Sequence, residues 1–166
     1  VPKAEYEFMG IKVSIGDVIN KLPAKELQDK GVLANCHVNI LQTQDLKEFK
    51  NYPEELKWLT TDSDRMSWVA QTIKDISSSG NTLILVDRIS AGEILQKKLK
   101  GSVFISGSTK TLERKEHYDE VSTAESKIII ATYGVASVGI NIPRIFNLVL
   151  IEPGKSFVRV IQSIGR

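Results

Sequence analysis

The residues best suited to chemistry gather in short polar stretches, each directly behind an apolar run. Asp87-Arg88 follows Thr82-Leu-Ile-Leu-Val86, Ser106-Gly107-Ser108 follows Val103-Phe-Ile105, Thr132-Tyr133-Gly134 follows Lys127-Ile-Ile-Ile-Ala131, and Glu152-Pro-Gly-Lys-Ser156 follows Asn147-Leu-Val-Leu-Ile151. A Gly-bearing turn after a strand offers backbone N–H groups to a phosphate, and small hydroxyls such as those of Ser106, Ser108 and Thr132 add side-chain donors. The chemistry this suits is the grip of a sugar-phosphate backbone. Ser, Thr and Gly are also the ordinary residues of plain turns, and any one stretch taken alone is better read that way. Their coincidence behind successive runs shifts the balance. Arg114, beyond Gly107, is in range of the same phosphates, although an exposed helix arginine more often faces solvent; with Glu113, Lys115 and Glu116 it reads as surface charge.

The chain carries no ATP cradle of its own. Gly154-Lys155-Ser156 follows an apolar run like the end of a Walker-type phosphate loop, but the place of that loop's leading Gly is held by Val149, inside the run. The loop left over is too short to wrap a triphosphate, and no pair of acids with the look of a Mg2+ site follows an apolar run. Cys36 and His37, with only His117 elsewhere, make a poor ligand set for a metal, and Cys36 reads as a buried side chain on a strand. No G-x-G-x-x-G stands behind any run, and the clustered acids that strand cleavage would want are missing as well.

The spacing of apolar residues says how these stretches are held. Met66, Val69, Ile73 and Ile76 recur at helical spacing between Asp62 and Gly80, a residue suited to a C-terminal cap. The run 82–86 is continuously apolar, as a strand covered on both faces would be. Ser90 and Glu93 form a capping box for a helix carrying Ile94, Leu95 and Leu99. Val103–Ile105, 127–131 and 148–151 give further strands, and Thr109 to about Val121 a further helix. Strands separated by helices imply right-handed crossovers and a parallel sheet with helices on both faces, whose ligands collect at the C-terminal strand ends. The first third is less regular. Ser14 with Asp17, ahead of Val18, Ile19 and Leu22, suggests a short capped helix, and Pro23 suits the first position of a second that Gly31 ends. Asn35 to Thr43 favours a strand by its β-branched content, and Asp45 to Leu59 reads as a charged surface excursion in which Trp58 packs back onto the domain.

With 166 residues, 42% hydrophobic and 25% charged, the chain has the size of one globular domain. Its formal net charge is only +2, so bulk charge does not mark a nucleic-acid binder and phosphate contacts must be local. One cysteine excludes an internal disulfide. No apolar stretch approaches the ~20 residues of a membrane span and no signal peptide opens the chain, so a soluble, cytoplasmic protein without a membrane partner is expected. It starts at Val1 and stops on Arg166 inside an apparent helix, as a piece of something longer would.

Ile130-Ala-Thr-Tyr-Gly-Val-Ala-Ser-Val-Gly-Ile-Asn-Ile-Pro143 resembles motif V of superfamily 2 helicases, and Gln162-Ser-Ile-Gly-Arg166 resembles the first part of motif VI. Thr82-Leu-Ile-Leu-Val-Asp87 with the Ser90 to Leu99 helix is similar to motif IV, and Phe104-Ile-Ser-Gly-Ser-Thr109 with Arg114 to the stretch that follows it. The likeness spans about Asp62 to Arg166, with the motifs in the family's order. Within the superfamily the Tyr133-Gly-Val turn, the Gly139-Ile pair and the ending at Arg166 are most similar to the UvsW-type phage helicases of recombination. The resemblance implies an α/β, RecA-like (P-loop NTPase-like) fold: a doubly wound parallel sheet with helices on both faces, lacking its own Walker A loop. It further implies that residues 1–34 are lead-in helices from the preceding lobe and residues 35–166 the helicase C-terminal domain, cut at motif VI, with a phage-infected or bacterial cytoplasm as the setting.

The same resemblance implies roles. Thr132 with the Tyr133-Gly134 turn would touch the nucleic-acid backbone, and Arg88 and Gly107 are looser candidates for the same track. Gly139 and Asn141 would lie by the ATP ribose, Gln162 would link the nucleotide to the lobe interface, and Arg166 would be the catalytic arginine finger on the γ-phosphate. ATP with Mg2+ would be held mainly by the N-terminal helicase lobe of the same polypeptide, and the strand partner would be single-stranded or branched DNA, or RNA. Two departures stand out. Many members carry aspartate where Asn141 stands, and motif VI usually continues to a second arginine just beyond Arg166. The expectation is the second motor lobe of an ATP-dependent helicase for DNA unwinding or branch migration in recombination and repair, inactive by itself. The alternative is a non-catalytic α/β module that binds a nucleotide or a partner at its strand ends; a Walker-type loop upstream in the longer reading frame would discriminate.

Overall fold

The computed structural model describes residues 5–45, 47–137, 142 and 144–152. The chain divides into two units, Val1–Thr43 and Gln44–Arg166. In the first, helices α1 (Glu5–Ile15) and α2 (Ala24–Asp29) bury no residue. The helix therefore lies before the Ser14 to Leu22 stretch rather than along it. Gly16, at φ 113°, ends α1, and Asp17 turns back to pair with Lys12 at 2.8 Å while its Oδ1 accepts from Val18 N at 2.8 Å. Pro23 caps α2 instead of opening its first turn. Gly31, at φ 70°, closes α2 as expected: its N–H donates to Gln28 O at 3.0 Å and Val32 N to Leu27 O at 2.9 Å, the paired bonds of a Schellman ending. Residues 35–43 form no strand, and Cys36 is exposed rather than buried on one. β-branched content needs a neighbouring strand before it makes a ladder.

In the second unit, α3 (Tyr52–Thr61) occupies the stretch that reads as a charged excursion. Asn51 Oδ1 accepts from Glu54 N at 3.0 Å, Pro53 supplies a helical φ in the first turn, and Glu54 and Glu55 sit at the positive end of the helix dipole. The charge there marked a helix start. Trp58 is half-buried and packs on Phe49, with ring centroids 5.4 Å apart. In α4 (Ser63–Ser77) Asp62 Oδ2 accepts from Arg65 N at 3.0 Å, and Met66, Val69, Ala70 and Ile73 are buried, as their spacing implies.

Alternation then takes over: β1 (Thr82–Val86), α5 (Ile89–Lys98), β2 (Val103–Ile105), α6 (Thr111–Thr123), β3 (Ile128–Thr132), α7 (Tyr133–Ser137) and β4 (Asn147–Leu150). The strands are all parallel in the order β2-β3-β1-β4. Because side chains alternate across a strand, Leu83, Leu85, Ile129 and Ala131 meet Val121 of α6 and Val135 of α7 on one face, while Ile84, Val86 and Ile130 meet Met66 and Ile73 of α4 and Leu95 of α5 on the other. Each fully buried aliphatic side chain contributes about 1.5–3 kcal/mol, which is what clamps the helices to both faces. α5 lies so close to β2 that position 92 favours glycine: a Cβ on Gly92 would come within 2.4 Å of the Phe104 ring, which would have to move aside. The capping box at Ser90 and Glu93 does not form. The chain leaves β1 through an extended Arg88 (φ −104°, ψ 135°) and is helical from Ile89, so Ser90 falls inside α5.

One buried amide ties the opposite, N-terminal edge of the sheet. Asn81 Nδ2 reaches the carbonyls of Val121 (3.1 Å), Ala124 (2.8 Å) and Arg144 (3.2 Å), and its Oδ1 accepts from Lys127 N at 2.8 Å. Its own carbonyl accepts from Phe146 N (3.0 Å) and Asn147 N (3.1 Å). The end of α6 and the entries to β3 and β4 are thus satisfied by a single residue, through its side chain and its carbonyl.

Candidate nucleic-acid interface

Parallel strands bring their C-terminal ends to one rim. Along it, in sheet order, come Ser106-Gly107 after β2, Thr132-Tyr133-Gly134 at the end of β3, Asp87-Arg88 after β1 and Ile151-Glu152 after β4. With ~4.8 Å between neighbouring strands the rim runs roughly 15 Å.

At the β2 end, Arg114 reaches back from α6. Its Nε donates to Thr109 O at 2.8 Å, and one terminal nitrogen donates to Ser106 O at 3.0 Å and Gly107 O at 2.9 Å. Thr109 Oγ1 accepts from Ser106 N at 3.0 Å, and the hydroxyls of Ser106 and Ser108 lie 2.8 Å apart. The guanidinium that sequence placed either on a phosphate or in solvent instead braces the loop. With the Ser106, Gly107 and Thr109 carbonyls satisfied internally, the exposed tip at Gly107 and Ser108 offers donors: backbone N–H groups and the one hydroxyl proton that the Ser106–Ser108 pair does not use.

At the β3 end, Thr132 is half-buried and its Oγ1 accepts from Val135 N at 3.4 Å, capping α7, while its own O–H proton stays available to donate. Tyr133 shares the turn but turns its ring inward. It is 6% exposed and its hydroxyl donates to Ile151 O at 3.4 Å, so the ring belongs to the core and ties the β3 end to the β4 end. Gly134 is exposed. A Cβ added at Gly107 or Gly134 would meet no atom within 4 Å, and neither residue lies in the left-handed region. The fold favours glycine at position 92 and not at these two. Open space above a rim glycine is what the close approach of a ligand backbone requires.

At the β1 and β4 ends, Ile151 N donates to Leu85 O at 2.9 Å, one bond past the Leu85–Leu150 pair, and Glu152 follows, near enough to Asp87 for the two carboxyls to act on each other. Glu152 lies in the left-handed region at φ 51°, and its Oε1 is buried with no hydrogen-bond partner. Burial pushes its carboxyl up to about 7 against the pull of the Arg65 and Arg88 guanidiniums, and Asp87 adds a smaller push upward. Arg65 comes from the first turn of α4, its Nε donating to Leu59 O at 3.1 Å and its Nη1 lying 3.4 Å from Asp45 Oδ2. Sequence reasoning put Glu152 on the rim only as the start of a turn and missed its meeting with Arg65, for which residue type carries no signal.

Of the expected site residues, Arg88, Gly107, Thr132, Tyr133 and Gly134 therefore share this rim. Gly139, Asn141, Gln162 and Arg166 lie outside the described residues, as does Gly154-Lys155-Ser156. Val149, in the place of the leading Walker glycine, is inside β4. Among the described residues no group of His, Cys, Asp and Glu could hold a metal ion, and no helix is long and apolar enough to cross a membrane.

The chain matches the helicase conserved C-terminal domain over residues 64–166. It is 27% identical over 162 residues to the ATP-dependent DNA helicase uvsW of Enterobacteria phage T4, an alignment covering 91% of this chain and 32% of that protein. It is 32% identical over 88 residues to putative helicase 22 of a Sulfolobus islandicus filamentous virus, 51% of this chain and 16% of that one. The crystal structure of T4 UvsW superposes with a TM-score of 0.62 at 29% identity, over 70% of this chain and 25% of that chain. S. cerevisiae Dbp5, solved bound to RNA and ADP BeF3, superposes with a TM-score of 0.52 at 22% identity, over 64% of this chain and 30% of that one, a likeness of fold alone. The chain thus spans about a third of the length of its T4 relative. The parallel sheet with helices on both faces is RecA-like, and the chain belongs to the helicase conserved C-terminal domain family, as a superfamily 2 helicase lobe similar to that of UvsW.

Proposed function

We propose that the chain is the second motor lobe of an ATP-dependent helicase or translocase that unwinds DNA or migrates its branches in recombination and repair. The observation that carries the reading is the rim itself. Gly107, Gly134, the Thr132 hydroxyl and Arg88 stand along one sheet edge, and the two glycines have no structural reason to be glycine. Such a surface suits the sugar-phosphate backbone of a strand, contacted mainly through donors and one guanidinium. Phosphate contacts carry no base sequence. DNA is favoured because the T4 relative is described as a DNA helicase, and contacts to phosphates fit RNA as well.

The nucleotide half of the reading rests on motifs V and VI. Gly139 and Asn141 would border the ATP ribose, Gln162 would join nucleotide to lobe interface, and Arg166 would place a guanidinium against the transferring phosphoryl group. Such a contact stabilises charge that grows in the transition state and is worth roughly a thousandfold or more in other phosphoryl-transfer enzymes. ATP with Mg2+ would be held mainly by a preceding lobe, so hydrolysis would wait for the lobes to close, and closure would couple turnover to stepping along the strand. A phage-infected or bacterial cytoplasm suits this activity.

The rim is tested by Gly107→Ala and Gly134→Ala in the full-length protein, with strand binding read by fluorescence anisotropy and stability by thermal unfolding. Each substitution should weaken binding by about tenfold while leaving stability unchanged or slightly raised, since the added methyl meets no protein atom and restricts the unfolded chain. Unaltered affinity in both variants would remove the rim from the strand track.

A further inference from the structure

The ends of β1 and β4 hold a group that the motor reading leaves without a task. Glu152 follows the last β1–β4 ladder bond, in a left-handed conformation that is costly for a residue with a Cβ and that tends to persist at functional sites. Its Oε1 is buried without a hydrogen-bond partner, although the guanidiniums of Arg65 on α4 and Arg88 after β1 act on the carboxyl, with Asp87 as its acidic neighbour. A carboxylate so placed is poorly held as an anion. Burial outweighs both arginines and pushes the group up to about 7.

A strand drawn to Arg88 moves that balance one way. The phosphate brings negative charge beside the carboxyl, engages the guanidinium that favoured its ionised form, and excludes water from it; each of these disfavours the carboxylate. The neutral carboxyl has an O–H to donate, and a phosphate oxygen accepts it. We propose that Glu152 is a member of the strand track that takes up a proton when nucleic acid binds, its neutral carboxyl donating to a backbone phosphate held by Arg88. The proton comes from solvent, and only an O–H bond is formed. The inference rests on the strand-track reading of the rim and deepens it: affinity becomes pH dependent near neutrality, where an ordinary carboxylate has long been ionised.

The test is binding of a fluorescent oligothymidylate by full-length wild type, Glu152→Gln and Arg88→Gln between about pH 6 and about pH 8.5 at fixed salt, with calorimetry in buffers of different protonation enthalpy. Wild type should lose roughly tenfold in affinity across that range and take up a fraction of a proton near neutral pH. Glu152→Gln, whose amide supplies a permanent donor, should bind at high pH as wild type does at low pH and show no proton uptake. Arg88→Gln should bind more weakly, with the coupling reduced. Parallel profiles and equal proton uptake in wild type and Glu152→Gln would overturn the inference and leave the rim reading standing; absence of strand binding by wild type at every pH would overturn both. Should Glu152→Gln fail to fold, Glu152→Asp retains a carboxyl drawn back from the phosphate and should lose most of the uptake, and uptake equal to wild type there would also overturn it.

Discussion

Arg114 shows that an arginine beside a candidate strand-binding loop can serve the loop itself. Its guanidinium holds the carbonyls of Ser106, Gly107 and Thr109. Arg114→Ala should therefore lower stability by about 1–3 kcal/mol, because partly buried carbonyls lose their donors, and should weaken strand binding by loosening Gly107. Denaturant unfolding beside a binding titration checks both, and unchanged stability would contradict the bracing role. Glu152 makes a prediction about stability as well as about binding. Its carboxyl sits at about 7 in the folded chain against an ordinary 4.5, so the proton is held more tightly folded than unfolded. The associated stability is fully present below the ordinary value and is lost as pH rises through the folded one. Glu152→Gln should then gain on wild type in melting temperature across that window, and a gap independent of pH would count against the burial argument. Sequence showed which residue types follow each strand. It did not show that the ring of Tyr133 turns into the core or that Arg114 turns back on its own loop, because direction depends on packing partners far along the chain.

At the scale of elements, the stretch from Asp62 to Leu150 was readable because every helix and strand there is buried against another, so its apolar spacing is under direct constraint. Before Asp62 the same reasoning fails: the charges of Glu54 and Glu55 suggested a loop where they reward a helix N-terminus, and the β-branched residues of 35–43 have no neighbouring strand. The capping box at Ser90 fails for a simpler reason, since a helix that starts two residues earlier, at Ile89, leaves no cap position for it. Two substitutions probe how the elements are joined. Asn81→Ala should cost about 3–5 kcal/mol, as it strips partners from the end of α6, the entry to β3 and the Arg144 carbonyl ahead of β4 together. Gly92→Ala should cost about 1–3 kcal/mol by forcing the Phe104 ring aside, whereas Gly107→Ala should cost nothing. Equal stability for the two glycine variants would undo the distinction between fold-favoured and ligand-facing glycines.

For the molecule as a whole, strand direction and helix placement followed from the alternation of runs, but the order β2-β3-β1-β4 did not, because nothing in a run names its neighbour. That order decides the site: it sets Gly107, Thr132, Arg88 and Glu152 in sequence along one rim, although they are scattered from position 88 to 152 in the chain. The chain matches only 32% of the length of its T4 relative, and Val149, in the place of the leading Walker glycine, lies within β4. The isolated chain should accordingly show no strand-stimulated ATP hydrolysis. The decisive measurement is ATP hydrolysis by the full-length protein with single-stranded and forked DNA, wild type beside Arg166→Ala. Strong stimulation in wild type, with the variant reduced in kcat by on the order of a hundredfold or more and ATP binding nearly intact, is the expected result; stimulation that survives the substitution undiminished, or none in wild type, would contradict a two-lobed motor completed by this chain.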